Sequence, residues 1–242
     1  MTPPDLFGHF LDDAAIFPPG NMAMGDAVSA HLARRGTPEG EYVGPFICST
    51  ARLGELREIL GHGHLELSLV AVVDELSDVV DELTTQQNIT LVAVELKGPV
   101  DALPATPHGV RVFVERTWHE SYEVPDGAML KLRCGGPDVR DIPSACQLGG
   151  AIEHCVEHDV AFKLTAGLHH AVRGERELGF LNILAAVNAA IDGSDPVPAL
   201  LESDAAALKV SNPAAVRRLF RSIGTCSIDE PLDDLRALEL IA

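Results

Sequence analysis

Two lysines set in apolar runs carry the strongest chemical signal in this chain: Lys131 in "AMLKLRCGG" and Lys163 in "VAFKLTAGLHH". A buried ammonium is costly unless it is paired or put to use. A lysine amine becomes a nucleophile once it loses its proton, and burial or a second cation close by lowers its pKa toward neutrality. Such an amine attacks a carbonyl, and the iminium that forms is an electron sink for C–C cleavage or enolisation. Glu95, at the end of "ITLVAVEL", is a carboxylate that could carry the proton. Lys131, Lys163 and Glu95 are therefore the candidate catalytic residues.

A second set could bind substrate. Arg133 can clamp a carboxylate or phosphate bidentately. The Gly135-Gly136 turn beside it lets a ligand approach backbone N–H groups. Thr165 shares the face of Lys163, and His169 and His170 extend that segment. Asp13 lies in the first apolar run, and Glu115 ends "VRVFVER". Plainer readings exist for most of these. Glu95 with a lysine can be a structural ion pair. Asp12 and Asp13 can cap a strand end, and paired loop histidines are more often hydrogen-bonded than ligating. Asp229 and Glu230 before Pro231 read as a helix cap. Cys134 and Cys226 read as small packing residues.

The elements that must position these groups alternate along the chain. Strand-like runs are "FLDDAAIF", "YVGPFICS", "LELSLVAVV", "ITLVAVEL", "VRVFVER", "AMLKLRCGG", "VAFKLTAG" and "SIGTCS". Helical spacing is clear in "ARLGELREILG", in "DELSDVVDELTTQQ" and from Ser144 to His158. The pattern predicts an α/β fold, a (β/α)8 TIM barrel in one domain over residues 1–242, with a helical insertion from Asp192 to Arg221 before the last strand. An open doubly wound sheet is the competitor, but there is no Rossmann glycine fingerprint and no P-loop. Side chains alternate along a strand. Leu130, Leu132, Phe162 and Leu164 should face helices, so Lys131, Arg133, Lys163 and Thr165 should face the barrel interior.

On those residues the chain resembles the class I (Schiff-base) aldolases of the deoxyribose-phosphate aldolase type. In that group the sixth-strand lysine forms the Schiff base, the seventh-strand lysine tunes it, and a fourth-strand acid helps proton transfer. The resemblance implies those roles for Lys131, Lys163 and Glu95. It is confined to the two lysine-bearing strands. Leu132 and Arg133 stand where the group has small hydroxyl residues, and Arg133 opens the alternative of an anion clamp.

Composition bounds the partners. The 242 residues carry a formal charge of −18. That repels phosphate backbones and anionic lipid, so neither nucleic acid nor membrane is expected. No apolar run reaches membrane-spanning length, and "MTPPDLFGHFLDD" has no signal-peptide pattern. Five dispersed cysteines fit reduced thiols in the cytoplasm. The expectation is an aldolase-like lyase without cofactor or metal. It would act on a small carbonyl substrate bearing a carboxylate or phosphate, and could pair as a homodimer. The alternatives are a metal-assisted isomerase or hydrolase, and a barrel that only binds a small anion.

Overall fold

Apolar runs of β-branched and leucine residues must bury both faces, and a parallel sheet closed on itself and wrapped in helices does so. In a computed structural model, which describes residues 4–136, 138–175 and 177–241, eight parallel strands close into a barrel in sequence order. They are β1 (Leu11–Asp13), β2 (Val43–Ser49), β3 (Leu65–Val72), β4 (Ile89–Lys97), β5 (Arg111–Arg116), β6 (Met129–Arg133), β7 (Phe162–Thr165) and β8 (Phe220–Thr225). The chain is a (β/α)8 barrel, as its alternation predicts.

The helices are α1 (Pro4–Phe7), α2 (Met24–Arg35), α3 (Leu53–Leu60), α4 (Val73–Thr84), α5 (Ala145–Glu157), α6 (Phe180–Ile191), α7 (Val197–Leu201), α8 (Pro213–Leu219) and α9 (Asp229–Ala237). Ser144 starts α5 through a capping box: its Oγ accepts from Gln147 N at 3.2 Å, and Gln147 Oε1 accepts from Ser144 N at 3.0 Å. The links from β4 to β5 and from β5 to β6 carry no helix among the described residues. The insertion before the last strand contains α7 and α8. β8 begins at Phe220, two residues before the expected start at Ser222, because the chain runs from α8 directly into the strand.

Alternation sorts the two faces. Leu130, Leu132, Phe162 and Leu164 are buried in the apolar layer between strands and helices on one side. Leu67, Leu69, Val94, Leu96, Val112 and Val114 do the same on the other. What points inward is partly polar: Ser68, Glu95, Lys131, Lys163 and Ser222 are all buried. Lys131 and Lys163 stand directly opposite each other in the β6–β7 ladder, and Glu115 stands opposite Lys131 in β5–β6.

Candidate active site

A closed eight-stranded barrel has an interior just wide enough for side chains, so charged side chains from five strands meet in one network. Glu95 of β4 is its hub. Its Oε2 lies 2.8 Å from Lys131 Nζ and its Oε1 accepts from Lys163 Nζ at 2.7 Å. Ser68 Oγ of β3 donates to the same Oε1 at 2.8 Å. Lys163 also donates to Asp12 Oδ2 of β1 at 2.5 Å, and Asp12 accepts from Ser222 Oγ of β8 at 2.7 Å. Room for Asp12 comes from Gly44, where a Cβ would sit 2.2 Å from Asp12 Oδ1.

The two lysines are held differently. Lys163 is fully buried, donates to two carboxylates with good alignment, and lies 5.3 Å from the centre of the Phe113 ring. Lys131 lies 2.8 Å from Glu95 Oε2 and 2.8 Å from Glu115 Oε2. Those contacts are ion pairs without hydrogen-bond alignment, and Glu115 Oε2 is buried with no aligned donor. Charge rather than directed bonding holds this amine.

Electrostatics correct one expectation. Two lysines side by side should lower each other's pKa, but a carboxylate stands between them. Burial disfavours the Lys163 ammonium, yet Asp12 and Glu95 outweigh it and raise the pKa above that of an ordinary lysine. Burial likewise opposes ionisation of Glu95, and the charges of Lys131 and Lys163 overcome it, holding the carboxyl well below the usual range. The amine that is pushed down is Lys97, at the end of β4. Burial is the main cause, and the Lys131 charge comes next.

Above this network opens a cavity of about 830 Å³ at the carboxyl ends of the strands. Glu95 and Lys131 form part of its lining, and Lys97, Arg133, Gly135, Gly136 and Thr165 surround them. Lys163 is not part of the lining; it sits beneath. At the β7 end, Ala166 and Gly167 both have positive φ, 63° and 69°, and turn the chain back across the mouth. A Cβ on Gly167 would stand 2.8 Å from Cys134 O, so only glycine allows that crossing. The crossing carries His169 to the rim. His169 Nδ1 lies 2.8 Å from Glu230 Oε2, and its Nε2 lies 3.9 Å from Cys226 Sγ. These contacts raise the imidazole to about 9, Cys226 first and Glu230 after it, with burial working against them.

The chain matches no protein-family model, no curated protein and no solved structure.

The structure therefore gathers Lys131, Glu95, Arg133, Gly135, Gly136, Thr165 and His169 around one cavity. Lys163 joins them from below, and Glu115, level with Lys131 on the neighbouring strand, joins from the side, both through ion pairs. Two candidates lie elsewhere. Asp13 points to the helix side, where Oδ2 contacts His31 Nδ1 at 3.0 Å and Oδ1 accepts from Ala15 N at 3.1 Å. His170 is outside the cavity lining, between Asp234 at 3.2 Å and Glu177 at 3.4 Å. Asp229 and Glu230 occupy the first turn of α9 rather than its cap. Asp229 pairs with Arg34 at 2.7 Å, leaving Glu230 to meet His169. Among the described residues no group of three or more His, Cys, Asp or Glu is arranged to hold a metal ion. No helix there is long and apolar enough to cross a membrane.

Proposed function

We propose that the barrel is a Schiff-base enzyme of the lyase class, in which Lys131 attacks a small carbonyl substrate bearing a carboxylate or phosphate. The observation that carries this reading is the position of the Lys131 amine. It faces the cavity, 2.8 Å from each of two carboxylates, with neither contact aligned as a hydrogen bond. Its proton needs an acceptor. Glu95 is a weak base because two lysines hold it ionised, so Glu115, which faces Lys131 with an unaligned oxygen, takes that part.

The reaction then follows ordinary imine chemistry. Lys131 transfers a proton to Glu115 and adds to the carbonyl carbon. The carbonyl oxygen leaves as water, and the iminium accepts the electron pair of the bond broken next to it. Arg133, whose side chain makes one hydrogen bond among the described residues, a 3.4 Å contact to Gly135 O, takes the substrate's anionic end. Lys97 adds a second positive charge on the same wall. Lys163 stays charged and fixes Glu95 in place, as a positioning residue.

Borohydride trapping tests this reading. Incubation with a panel of short 2-oxo acids, aldehyde phosphates and keto phosphates, followed by reduction, should leave one adduct on Lys131. The adduct should vanish in Lys131→Met. A folded protein that gives no adduct on Lys131 with any member of the panel overturns the proposal.

A further inference from the structure

One thiol is set apart from the other four. Cys48, Cys134 and Cys155 are buried, and burial pushes Cys48 and Cys155 up to about 12 and Cys134 higher. Cys146 is exposed on α5, away from the cavity. Cys226, just past β8, lines the cavity and has an imidazole 3.9 Å from its sulfur. That imidazole is oriented from behind. Glu230, in the first turn of α9, lies 2.8 Å from Nδ1 and accepts its proton, which leaves Nε2 facing the sulfur. Nucleophile, base and orienting carboxylate come from three different elements and meet at the rim. Such a constellation is recognised by geometry and roles rather than by sequence order.

We propose that Cys226, His169 and Glu230 form a nucleophilic triad whose sulfur takes the carbonyl carbon of a small anionic aldehyde. The sulfur shares its cavity with Lys97, Lys131 and Arg133, so an anionic ligand is drawn to the same space. The addition balances without a co-reactant. The thiolate forms the S–C bond, the carbonyl π pair moves to oxygen, and the imidazolium Nε2 proton goes to that oxygen, giving a hemithioacetal. Collapse returns the proton to His169 and releases the aldehyde. Beside the Lys131 chemistry this supplies a second covalent anchor in the same cavity, and it does not depend on an imine being formed.

Competitive alkylation tests it within one chain. Cys226 has an imidazole 3.9 Å from its sulfur to take up its proton, whereas Cys146 is exposed on α5. An adjacent base at hydrogen-bond distance contributes about a hundred-fold, and the longer 3.9 Å contact should leave about a ten-fold advantage. Iodoacetamide followed by peptide mass mapping should therefore label Cys226 about ten times faster than Cys146. His169→Gln should bring Cys226 down to the Cys146 rate. Glu230→Gln, at a half-exposed position that folding tolerates, should lower the rate part of the way. A Cys226 no faster than Cys146, or a rate unchanged in both variants, overturns the triad. Glyoxylate as the anionic aldehyde should slow labelling of Cys226 and not of Cys146. That protection should survive in Lys131→Met. If glyoxylate fails to protect, or protects only when Lys131 is present, its assignment to sulfur is wrong. The two covalent readings thus fail separately.

Discussion

The floor and the rim of the barrel mouth hold their charges in opposite ways. At the floor, Lys163 has no exposed surface and meets Asp12 and Glu95, which Ser222 and Ser68 hold in turn. Every group there is desolvated, so each contact must be made or the network is costly. At the rim, the side chains of His169 and Glu230 are 21% and 51% exposed, and the sulfur contact is 3.9 Å. Water can replace any of those contacts. Lys131 stands between the two regimes, buried like the floor but without its alignment. The difference teaches where motion is possible: the floor fixes geometry, and the groups above it are free to exchange protons and meet a ligand.

The largest effect should come from the floor. Lys163→Met leaves the buried Asp12 without a cation and Glu95 with Lys131 alone, and removing one partner of a buried pair costs about 3–5 kcal/mol. Chemical denaturation should show it. Lys131→Met should cost less, because Glu95 keeps Lys163 and only Glu115 loses its partner. Equal losses in the two variants would break the distinction drawn between the lysines. Ser222→Ala comes next. It removes one hydroxyl donor to the buried Asp12 carboxylate, which corresponds to about 1.5 kcal/mol. Loss of a surface contact such as Arg52–Glu55 should be near the limit of measurement, since an exposed pair contributes little.

Much of this was legible in the residues because β-strand alternation leaves little choice. The apolar partners Leu130, Leu132, Phe162 and Leu164 force Lys131 and Lys163 inward, and the β6–β7 register sets them side by side. The barrel itself follows from eight apolar runs separated by helical spacing. The choice between Asp12 and Asp13 went the other way. β1 is only three residues long, too short for its pattern to show which aspartate faces in. Leu11, buried in the outer apolar layer, puts Asp13 on the same side and Asp12 inside. Ser68 in "LELSLVAV" was a readable signal, a lone hydroxyl on the inward face of an apolar strand. Lys97 was readable too, two residues beyond Glu95 on the same face. The Cys226 contact was not. It depends on a loop crossing made by Ala166 and Gly167 and on the pitch of α9, and neither has a sequence period. The pKa of Lys163 also escaped, since it depends on which carboxylates reach it rather than on its neighbouring lysine.

The two regions should also respond to pH in opposite directions. The Glu95 carboxyl is depressed in the folded chain, so its contribution is present above the ordinary carboxylate value of 4.5 and is lost as pH falls below it. His169 is raised from 6.5 to about 9, so its contribution is complete below 6.5 and is lost as pH climbs to 9. Stability measured across pH 6.5 to 9 should therefore fall more steeply in the wild-type protein than in His169→Gln. Below pH 5 the two proteins should lose stability in parallel. Parallel curves throughout would show that the rim contacts do not form in solution.

The smallest effect separates the two partners of His169. The sulfur is the first cause of its raised imidazole, ahead of Glu230. In Cys226→Ser the sulfur contact to Nε2 is lost, while Glu230 stays 2.8 Å from Nδ1. The His169 ring resonances, followed by NMR titration, should then move with a midpoint below 9 and still above 6.5. A midpoint that stays near 9 would assign the shift to Glu230 alone and leave Cys226 an ordinary thiol. A fall to 6.5 would mean that the exposed Glu230 contact is screened away and only the sulfur held the proton.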